Sequence, residues 1–152
     1  MSKPRIYLAH SFHLMVEAKE EVEPLLAAHF EVLNPFEKRY DRLKEYVGRS
    51  TYSLHKTSDP SQIVETDLNL ISKSDGVFVY NIDGTTTGST MEIAYGHGFY
   101  RLPVVAVVPR KKLYHPWLQY HCKIVTTSVN KAIQSLVKHF ENQPNGGSKD
   151  AK

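Results

Sequence analysis

Cysteine and long apolar runs are scarce in this chain. Cys122 is the one cysteine among 152 residues, and a lone cysteine cannot form an internal disulfide, which favours a reducing compartment. The chain has no run of 18 apolar residues, and the start at Met1 to Arg5 leads straight into a predicted strand rather than into the apolar region of a signal peptide. We therefore expect no secretion signal, no membrane span and a cytoplasmic location.

Metal-ligand patterns are also missing. The chain has eight histidines, but no two are spaced as HxxxH, and a single cysteine excludes CxxC. His97-Gly98 and His121-Cys122 are isolated pairs in the sequence. The sequence therefore predicts no metal centre.

Concentrated charge is lacking as well. The net charge is +3, and the basic residues are scattered apart from the short run Arg110-Lys111-Lys112, which we interpret as a solvated loop. We therefore expect no nucleic-acid partner. Hydrophobic residues make up 41% and charged residues 23% of the chain, as in a globular domain of ordinary composition.

Short apolar runs alternate with helical patterns along the chain. The strands are expected at 5–9, 30–33, 77–80, 102–108 and 124–125, and the main helices at 14–28, 59–71, 89–100 and 128–140. This alternation predicts one flavodoxin-like α/β domain, with a five-stranded, mostly parallel sheet and helices on both faces. The domain is expected at 1–141, and a disordered tail at 142–152.

Two interruptions of this pattern have local consequences. Pro24 falls inside the first helix, where we expect a kink or an early break. Residues 34–60 form a long segment with a short helix near 41–47. It is either a lid or wall of a binding site or a mobile surface insertion.

Asp67 lies on the helix that opens at Asp59-Pro60-Ser61. Helical spacing directs Val64, Leu68 and Ile71 toward the sheet and puts Asp67 beside that apolar stripe. From spacing alone, an exposed Asp67 is favoured over one that points into a cleft.

The central stretch consists of a buried strand at 77–80, a turn rich in Gly and hydroxyls at 83–88, and a helix after Ser89. Neither GxxxxGK[ST] nor GxGxxG is present, so nucleotide-binding loops of those kinds have little support. Ser89 and Glu92 fit a capping box, S-x-x-E, and local pattern alone favours that structural interpretation.

The alternative is a catalytic carboxylate. A glutamate in the first turn of a helix is held ionised by the helix dipole, as a nucleophile at a sugar carbon requires. Retaining cleavage of a glycosidic bond also needs a proton donor. Asp67 is the candidate donor, and Tyr7 at the end of the first strand is a phenol that can orient Glu92.

Three motifs resemble the nucleoside 2-deoxyribosyltransferase family and its relatives, the 2′-deoxynucleoside 5′-phosphate N-hydrolases. They are Ile6-Tyr7-Leu8-Ala9 with Phe12, Glu65-Thr66-Asp67-Leu68-Asn69-Leu70-Ile71 with Ser74-Asp75, and Gly88-Ser89-Thr90-Met91-Glu92-Ile93-Ala94-Tyr95-Gly96. The resemblance spans about residues 5–108. It favours the catalytic interpretation, because a helix cap alone would not predict the other two motifs.

The resemblance implies roles for these residues. Glu92 would form a covalent deoxyribosyl ester at C1′, Asp67 would protonate the leaving base, Tyr7 would hold Glu92, and Phe12 would wall off the nucleobase. The implied ligands are 2′-deoxynucleosides and free nucleobases, with no cofactor. Family members are homo-oligomers built from dimers. The resemblance therefore implies that some residue of the segment 115–120 of this chain contributes to the site of a neighbouring subunit.

The 5′ side of the site departs from the transferase pattern. Thr86 stands where transferases carry an aspartate and the monophosphate hydrolases a serine. Thr85, Thr86, Thr87 and Ser89 make a phosphate plausible at this substrate-binding turn, which also contains Gly88. Asp83 can instead bind a free 5′-hydroxyl and would repel a phosphate. We expect the transferase, with the 5′-monophosphate N-hydrolase and a non-catalytic nucleotide-binding module as alternatives.

Overall fold

Five parallel strands form the centre of the protein. The structure is a computed structural model that describes residues 2–43, 59–83 and 87–143. The strands are β1 (Arg5–His10), β2 (Glu31–Leu33), β3 (Gly76–Tyr80), β4 (Val104–Val107) and β5 (Ile124–Thr126). Their order is β2-β1-β3-β4-β5, and every neighbouring pair is parallel. This confirms the predicted flavodoxin-like α/β fold.

Helices connect the strands. The first helical region, α1, joins the segments Phe12–Leu14, Met15–Glu17, Ala18–Val22 and Glu23–Ala27. The others are α2 (Tyr40–Leu43), α3 (Pro60–Ser72), α4 (Thr87–Ile93), α5 (Pro116–His121) and α6 (Val129–Glu141). A π-helical segment, Ala94–Phe99, continues α4, and short 3₁₀ turns occur at Glu37–Arg39 and Arg110–Lys112. None of the helices in the described ranges has both the length and the apolar character of a bilayer-crossing segment.

Alternation along the strands divides the core into two layers. In β1, Ile6 and Leu8 pack with α1 and α6 on one face of the sheet. Tyr7 and Ala9 point to the other face, where Ile71 of α3 and other apolar residues cover them. Because successive strand residues point to opposite faces, the register of β1 directs Tyr7 toward the layer that holds α3 and α4.

Of the kink or early break expected at Pro24, the early break does not occur. Helical backbone continues to Ala27, and the π-helical segment Ala18–Val22 directly precedes the α-helical segment in which Pro24 lies at the start. Proline lacks an N–H donor, so an interior proline leaves one carbonyl of the preceding turn unbonded. A wider turn before Pro24 lets the helix accommodate that loss without ending.

Two predicted helix openings are confirmed. Asp59 caps α3 by accepting a 3.0 Å hydrogen bond from the backbone N–H of Ser61. Ser128 caps α6 by accepting a 3.2 Å bond from the N–H of Lys131. The short helix expected at 41–47 is represented by α2, and the rest of that prediction, like most of the tail at 142–152, falls outside the described residues.

Candidate functional site

Tyr7 and Glu92 contact each other on the face of the sheet that α3 and α4 cover. The phenol of Tyr7 donates a 2.7 Å hydrogen bond to Oε1 of Glu92. Tyr7 is completely buried in β1, so its ring has little freedom to move. Glu92 is the sixth residue of α4 and is partly exposed. A rigid donor on the sheet therefore fixes the position of a carboxylate on the helix.

The environment of Glu92 favours its protonated form. Burial raises the pKa of Glu92 to about 7; the bond from Tyr7 lowers it and the negative charge of Asp67 raises it. We expected the helix dipole to keep Glu92 ionised. That expectation is wrong because burial raises the pKa of Glu92. Glu92 also lies in the second turn of α4, whereas the dipole acts mainly in the first.

Asp67 lies close enough to Glu92 and Tyr7 for its charge to raise the pKa of both. It is half-buried, and burial raises its own pKa to about 6, against the lowering effect of Arg39. The favoured prediction of an exposed Asp67 is wrong. Of the three residues predicted to face the sheet, Leu68 and Ile71 pack in that layer, whereas Val64, near the start of α3, is 52% exposed.

The capping-box interpretation of Ser89 and Glu92 is wrong. Helix α4 already begins at Thr87, so Ser89 lies inside the helix and cannot be its N-cap. The carboxylate of Glu92 accepts a hydrogen bond from the phenol of Tyr7 and points toward the sheet. Ser89 and Glu92, three residues apart, lie on the same face of α4, which is directed toward the edge of the sheet.

Three buried oxygens at this edge have no hydrogen-bond partner among the described residues. They are Oδ1 of Asp67, Oδ1 of Asn81 and Oγ of Ser89. Asn81 directly follows β3, at the edge where ligands of open parallel sheets bind. Since buried polar atoms are normally paired, these atoms are available to a ligand or to water. Asn81 was not among the residues predicted from the sequence.

The β1 side of the edge carries a second polar group. Oγ of Ser11 donates a 3.2 Å hydrogen bond to Oδ2 of Asp83, and it accepts a 3.2 Å bond from the N–H of Leu14. Ser11 thereby ties the start of α1 to the turn after β3. Asp83 is partly buried in that turn.

Aromatic rings cover the same side. The ring centroid of Phe36 lies 4.9 Å from that of His10 and 6.5 Å from that of Phe12. Nε2 of His10 is 3.1 Å from Oδ1 of Asn34, which also accepts from the N–H of Phe36 at 3.0 Å. Phe12 is half-buried and forms one part of an aromatic wall rather than an isolated ring.

The remaining predicted site residues have mixed outcomes. Gly88 is exposed, and a Cβ built there would meet no atom within 4 Å, so the chain itself does not require a glycine at that position. Thr86 lies outside the described residues. Within the described ranges, no group of three or more His, Cys, Asp or Glu side chains is arranged to hold a metal ion.

Arg39 is a residue that the sequence did not indicate. It ends the 3₁₀ turn Glu37–Arg39, is half-buried, and its Cζ lies 5.4 Å from the ring centroid of Phe36. Its charge lowers the pKa of Asp67 and opposes the rise in that of Tyr7. The only sequence signal for Arg39 was its position in the segment 34–60, for which one of the two interpretations was a lid or wall of a binding site.

An exposed aromatic surface lies on α5 and the π-helical segment. It comprises Tyr95, Phe99, Trp117 and Tyr120, of which Trp117 is 70% and Tyr120 77% exposed, together with the half-buried His121. Pro116, Trp117, Tyr120 and His121 line a groove of about 360 Å³. Nδ1 of His97 lies 2.9 Å from Nδ1 of His121 and links the two elements.

Two solved structures share this architecture. One is the CMP N-glycosidase BcmB of Clostridium botulinum, with a TM-score of 0.54 and 14% identity over 89% of this chain and 98% of that one. The other is a 2-deoxyribosyltransferase from the psychrotolerant Bacillus psychrosaccharolyticus, with a TM-score of 0.58 and 17% identity over 93% of each chain. The chain has the fold of these two enzymes.

At this identity the likeness concerns the fold, and it agrees with the resemblance carried by the three sequence motifs. No family model and no curated protein matches the sequence. What the site does must therefore be argued from its own geometry.

Proposed function

We propose that the protein cleaves and re-forms N-glycosidic bonds, as a nucleoside 2-deoxyribosyltransferase that works through a covalent ester on Glu92. The observation that carries the proposal is the hydrogen bond from Tyr7 to Glu92 beside the raised-pKa carboxyl of Asp67. A fixed carboxylate next to a second carboxyl that can hold a proton near neutral pH is the pair that retaining glycosyl transfer requires.

In the first step, an oxygen of Glu92 attacks C1′ of the sugar. The bond between C1′ and the base nitrogen breaks, its electron pair goes to the base, and Asp67 gives its proton to that base. Tyr7 holds the attacking carboxylate in position, because its phenol donates a hydrogen bond to Oε1 of Glu92. Two positioned groups thus share the work of bond breaking.

In the second step, a nitrogen of the incoming base attacks C1′ and displaces Glu92 as a carboxylate. Asp67 takes the proton that the incoming base loses, which restores the starting protonation. Two inversions at C1′ give net retention. With water as the acceptor, the same ester would be hydrolysed.

The mechanism requires one particular protonation state of the two carboxyls, with Glu92 ionised and Asp67 protonated. Burial raises the pKa of Glu92 to about 7 and that of Asp67 to about 6, and because the two carboxyls interact, their titration belongs to the pair. A nucleobase that covers Asp67 would remove it from water, raise its pKa and shift the pair toward the productive state.

The substrate's 5′ end is proposed to be a free hydroxyl. Asp83, held by Ser11 at the β1 side of the edge, can accept a hydrogen bond from that hydroxyl, whereas its charge would repel a phosphate. The alternative is hydrolysis of 5′-monophosphates. It is supported by the hydroxyl of Ser89, which is buried without a partner among the described residues, and by the fold shared with a CMP N-glycosidase.

A two-substrate assay tests the proposal. The protein is incubated with 2′-deoxyinosine and adenine, and we expect 2′-deoxyadenosine to form. Hypoxanthine released only from the 5′-monophosphate would support the hydrolase instead. The variant Glu92→Ala should lose turnover, and Glu65→Ala, which removes an exposed carboxylate from α3, is the matched control. Full activity of Glu92→Ala would refute the covalent ester on Glu92 for the transferase and the hydrolase alike. Ligand binding without turnover in the native protein would favour the nucleotide-binding module.

We also propose that the protein self-associates through the aromatic surface. Exposed Trp and Tyr side chains around a groove are typical of interfaces, because they are large, rigid and apolar over most of their area. The surface includes Trp117 and Tyr120 of the segment 115–120, which the family resemblance connects with a neighbouring subunit.

A further inference from the structure

Arg39 occupies an unusual position for a cation. Its side chain is half-buried, whereas its neighbours Glu37 and Lys38 on the same turn are exposed. Its Cζ lies over the ring of Phe36 at 5.4 Å from the centroid, within the range of a cation–π contact. The turn therefore directs one of its charged side chains inward, against the aromatic wall.

The guanidinium of Arg39 has no ion-pair or hydrogen-bond partner among the described residues. The ion pairs found there use Arg5 and Lys19 as cations. Arginine carries five N–H donors in a planar fork, so a half-buried guanidinium without acceptors has donors to offer. These donors lie near the candidate site, since the charge of Arg39 acts on the pKa of Asp67 and Tyr7.

Arg39 lies on the leaving-group side of that site. Arg39 packs on Phe36, whose ring centroid lies 6.5 Å from that of Phe12, the residue expected to wall off the nucleobase. The charge of Arg39 also acts on Asp67 and on Tyr7. In the proposed mechanism Asp67 delivers its proton to the nucleobase. The donors of Arg39 therefore lie at the aromatic wall, on the side of the site where the base is expected.

We propose that Arg39 determines base specificity by donating hydrogen bonds to a carbonyl oxygen of the nucleobase, and so selects 6-oxopurines and pyrimidines over adenine. This inference rests on the proposed function. A guanidinium has donors and no acceptor, so it matches a carbonyl oxygen and does not match the exocyclic amine of adenine. When the bond from C1′ to the base breaks, negative charge spreads onto that oxygen, where the cation stabilises it.

Paired variants test the assignment. Arg39→Met keeps an unbranched apolar side chain over Phe36 but removes the donors, and Lys38→Met removes an exposed cation from the same turn as a control. We expect Arg39→Met to lower kcat/KM for 2′-deoxyinosine by about 10- to 100-fold, mainly through kcat, and to leave 2′-deoxyadenosine within about 2-fold. Arg39→Lys should recover part of the loss, because it restores the charge without the fork.

Binding of free bases to the unmodified protein supplies a readout that does not need turnover. We expect hypoxanthine to bind more tightly than adenine by calorimetry, and Arg39→Met to abolish that difference while Lys38→Met retains it. Turnover without any oxo-base preference, or equal losses for both nucleosides in Arg39→Met, would overturn the role of Arg39 and leave the proposed function standing. Base discrimination that depends on Arg39 in a protein without turnover would overturn the proposed function and leave the role of Arg39 standing. A protein with neither turnover nor base discrimination would overturn the proposed function and the role of Arg39 together.

Discussion

The phenol of Tyr7 and the carboxylate of Glu92, 85 positions apart in the chain, are joined by a 2.7 Å hydrogen bond. Tyr7 is immobilised in the sheet and Glu92 is carried by α4, so the bond fixes the helix-borne carboxylate relative to the sheet edge. It also lowers the pKa of Glu92, against the opposing effects of burial and of Asp67.

The pH dependence of kcat/KM should be bell-shaped, with limbs near pH 6 and pH 7. These limbs follow from the pKa values of about 6 for Asp67 and about 7 for Glu92. As the two carboxyls interact, the limbs belong to the pair. A profile measured from pH 4.5 to 9 at constant ionic strength checks this, and a flat profile between pH 5 and 8 would contradict the proposed roles.

Tyr7→Phe should lower the maximum of kcat/KM by about 10-fold and move the alkaline limb to higher pH. Losing the phenol raises the pKa of Glu92, because the bond from Tyr7 lowers it. When the nucleophile has the higher pKa of the pair, each unit added to it removes about nine-tenths of the productive form. Tyr40→Phe, at the exposed end of a phenol–Glu20 contact, is the control. A shift of the acid limb instead would mean that Glu92 has the lower pKa.

Glu92→Gln should abolish turnover and stabilise the fold at pH 8 by about 1–3 kcal/mol. The pKa of Glu92 is raised from 4.5 to about 7, so the folded protein binds more protons than the unfolded chain in that window. The stabilising contribution of the protonated acid is complete below pH 4.5 and is lost as the pH rises through 7. Urea unfolding at pH 4 and pH 8 measures the difference in free energy of unfolding between Glu92→Gln and the native protein, which should be near zero at pH 4. For the control Glu65→Gln, the difference should be near zero at both pH values.

Gly96→Ala should destabilise the protein by about 1–3 kcal/mol. A Cβ there would lie 2.9 Å from Cγ2 of Val77 and 3.5 Å from Cγ2 of Val104, two fully buried strand residues. Valine has little rotamer freedom to yield. Gly98→Ala, where a Cβ meets no atom within 4 Å, should be neutral or slightly stabilising. Equal urea midpoints for the two variants would contradict the close packing.

Trp117→Ser should weaken self-association without unfolding the chain. Trp117 is 70% exposed and lies at the centre of the aromatic surface, stacked on His121. Leu25→Ser is the control, because Leu25 is 46% exposed on α1, which packs on the opposite face of the sheet. Light scattering after size exclusion, at matched concentrations, should show a lower mass for Trp117→Ser alone. An unchanged mass would place any interface elsewhere.

The sequence predicted the sheet, the helix openings at Asp59 and Ser128, and a shared edge for Tyr7, Asp67 and Glu92. These depend on local signals, such as buried apolar runs, side-chain caps and the fact that parallel strands end at one edge. Ser89 was misassigned because S-x-x-E occurs both at a helix start and inside a helix, and only the position of Thr87 separates the two.

Burial accounts for the other misses. The orientation of Asp67 depends on how α3 rotates against the sheet, and the stripe of Val64, Leu68 and Ile71 left that angle undetermined. Arg39 turns inward because Phe36 packs beside His10, a contact between distant segments that no periodicity reports. The raised pKa of Glu92 is likewise a product of tertiary packing.

The unpartnered oxygens of Asp67, Asn81 and Ser89 have a consequence for the life of the protein in a cell. Any molecule that supplies donors to them binds the folded chain and not the unfolded one, and so shifts the folding equilibrium toward the native state. Its resistance to proteolysis, and with it its steady-state abundance, should then rise and fall with the supply of its own substrate.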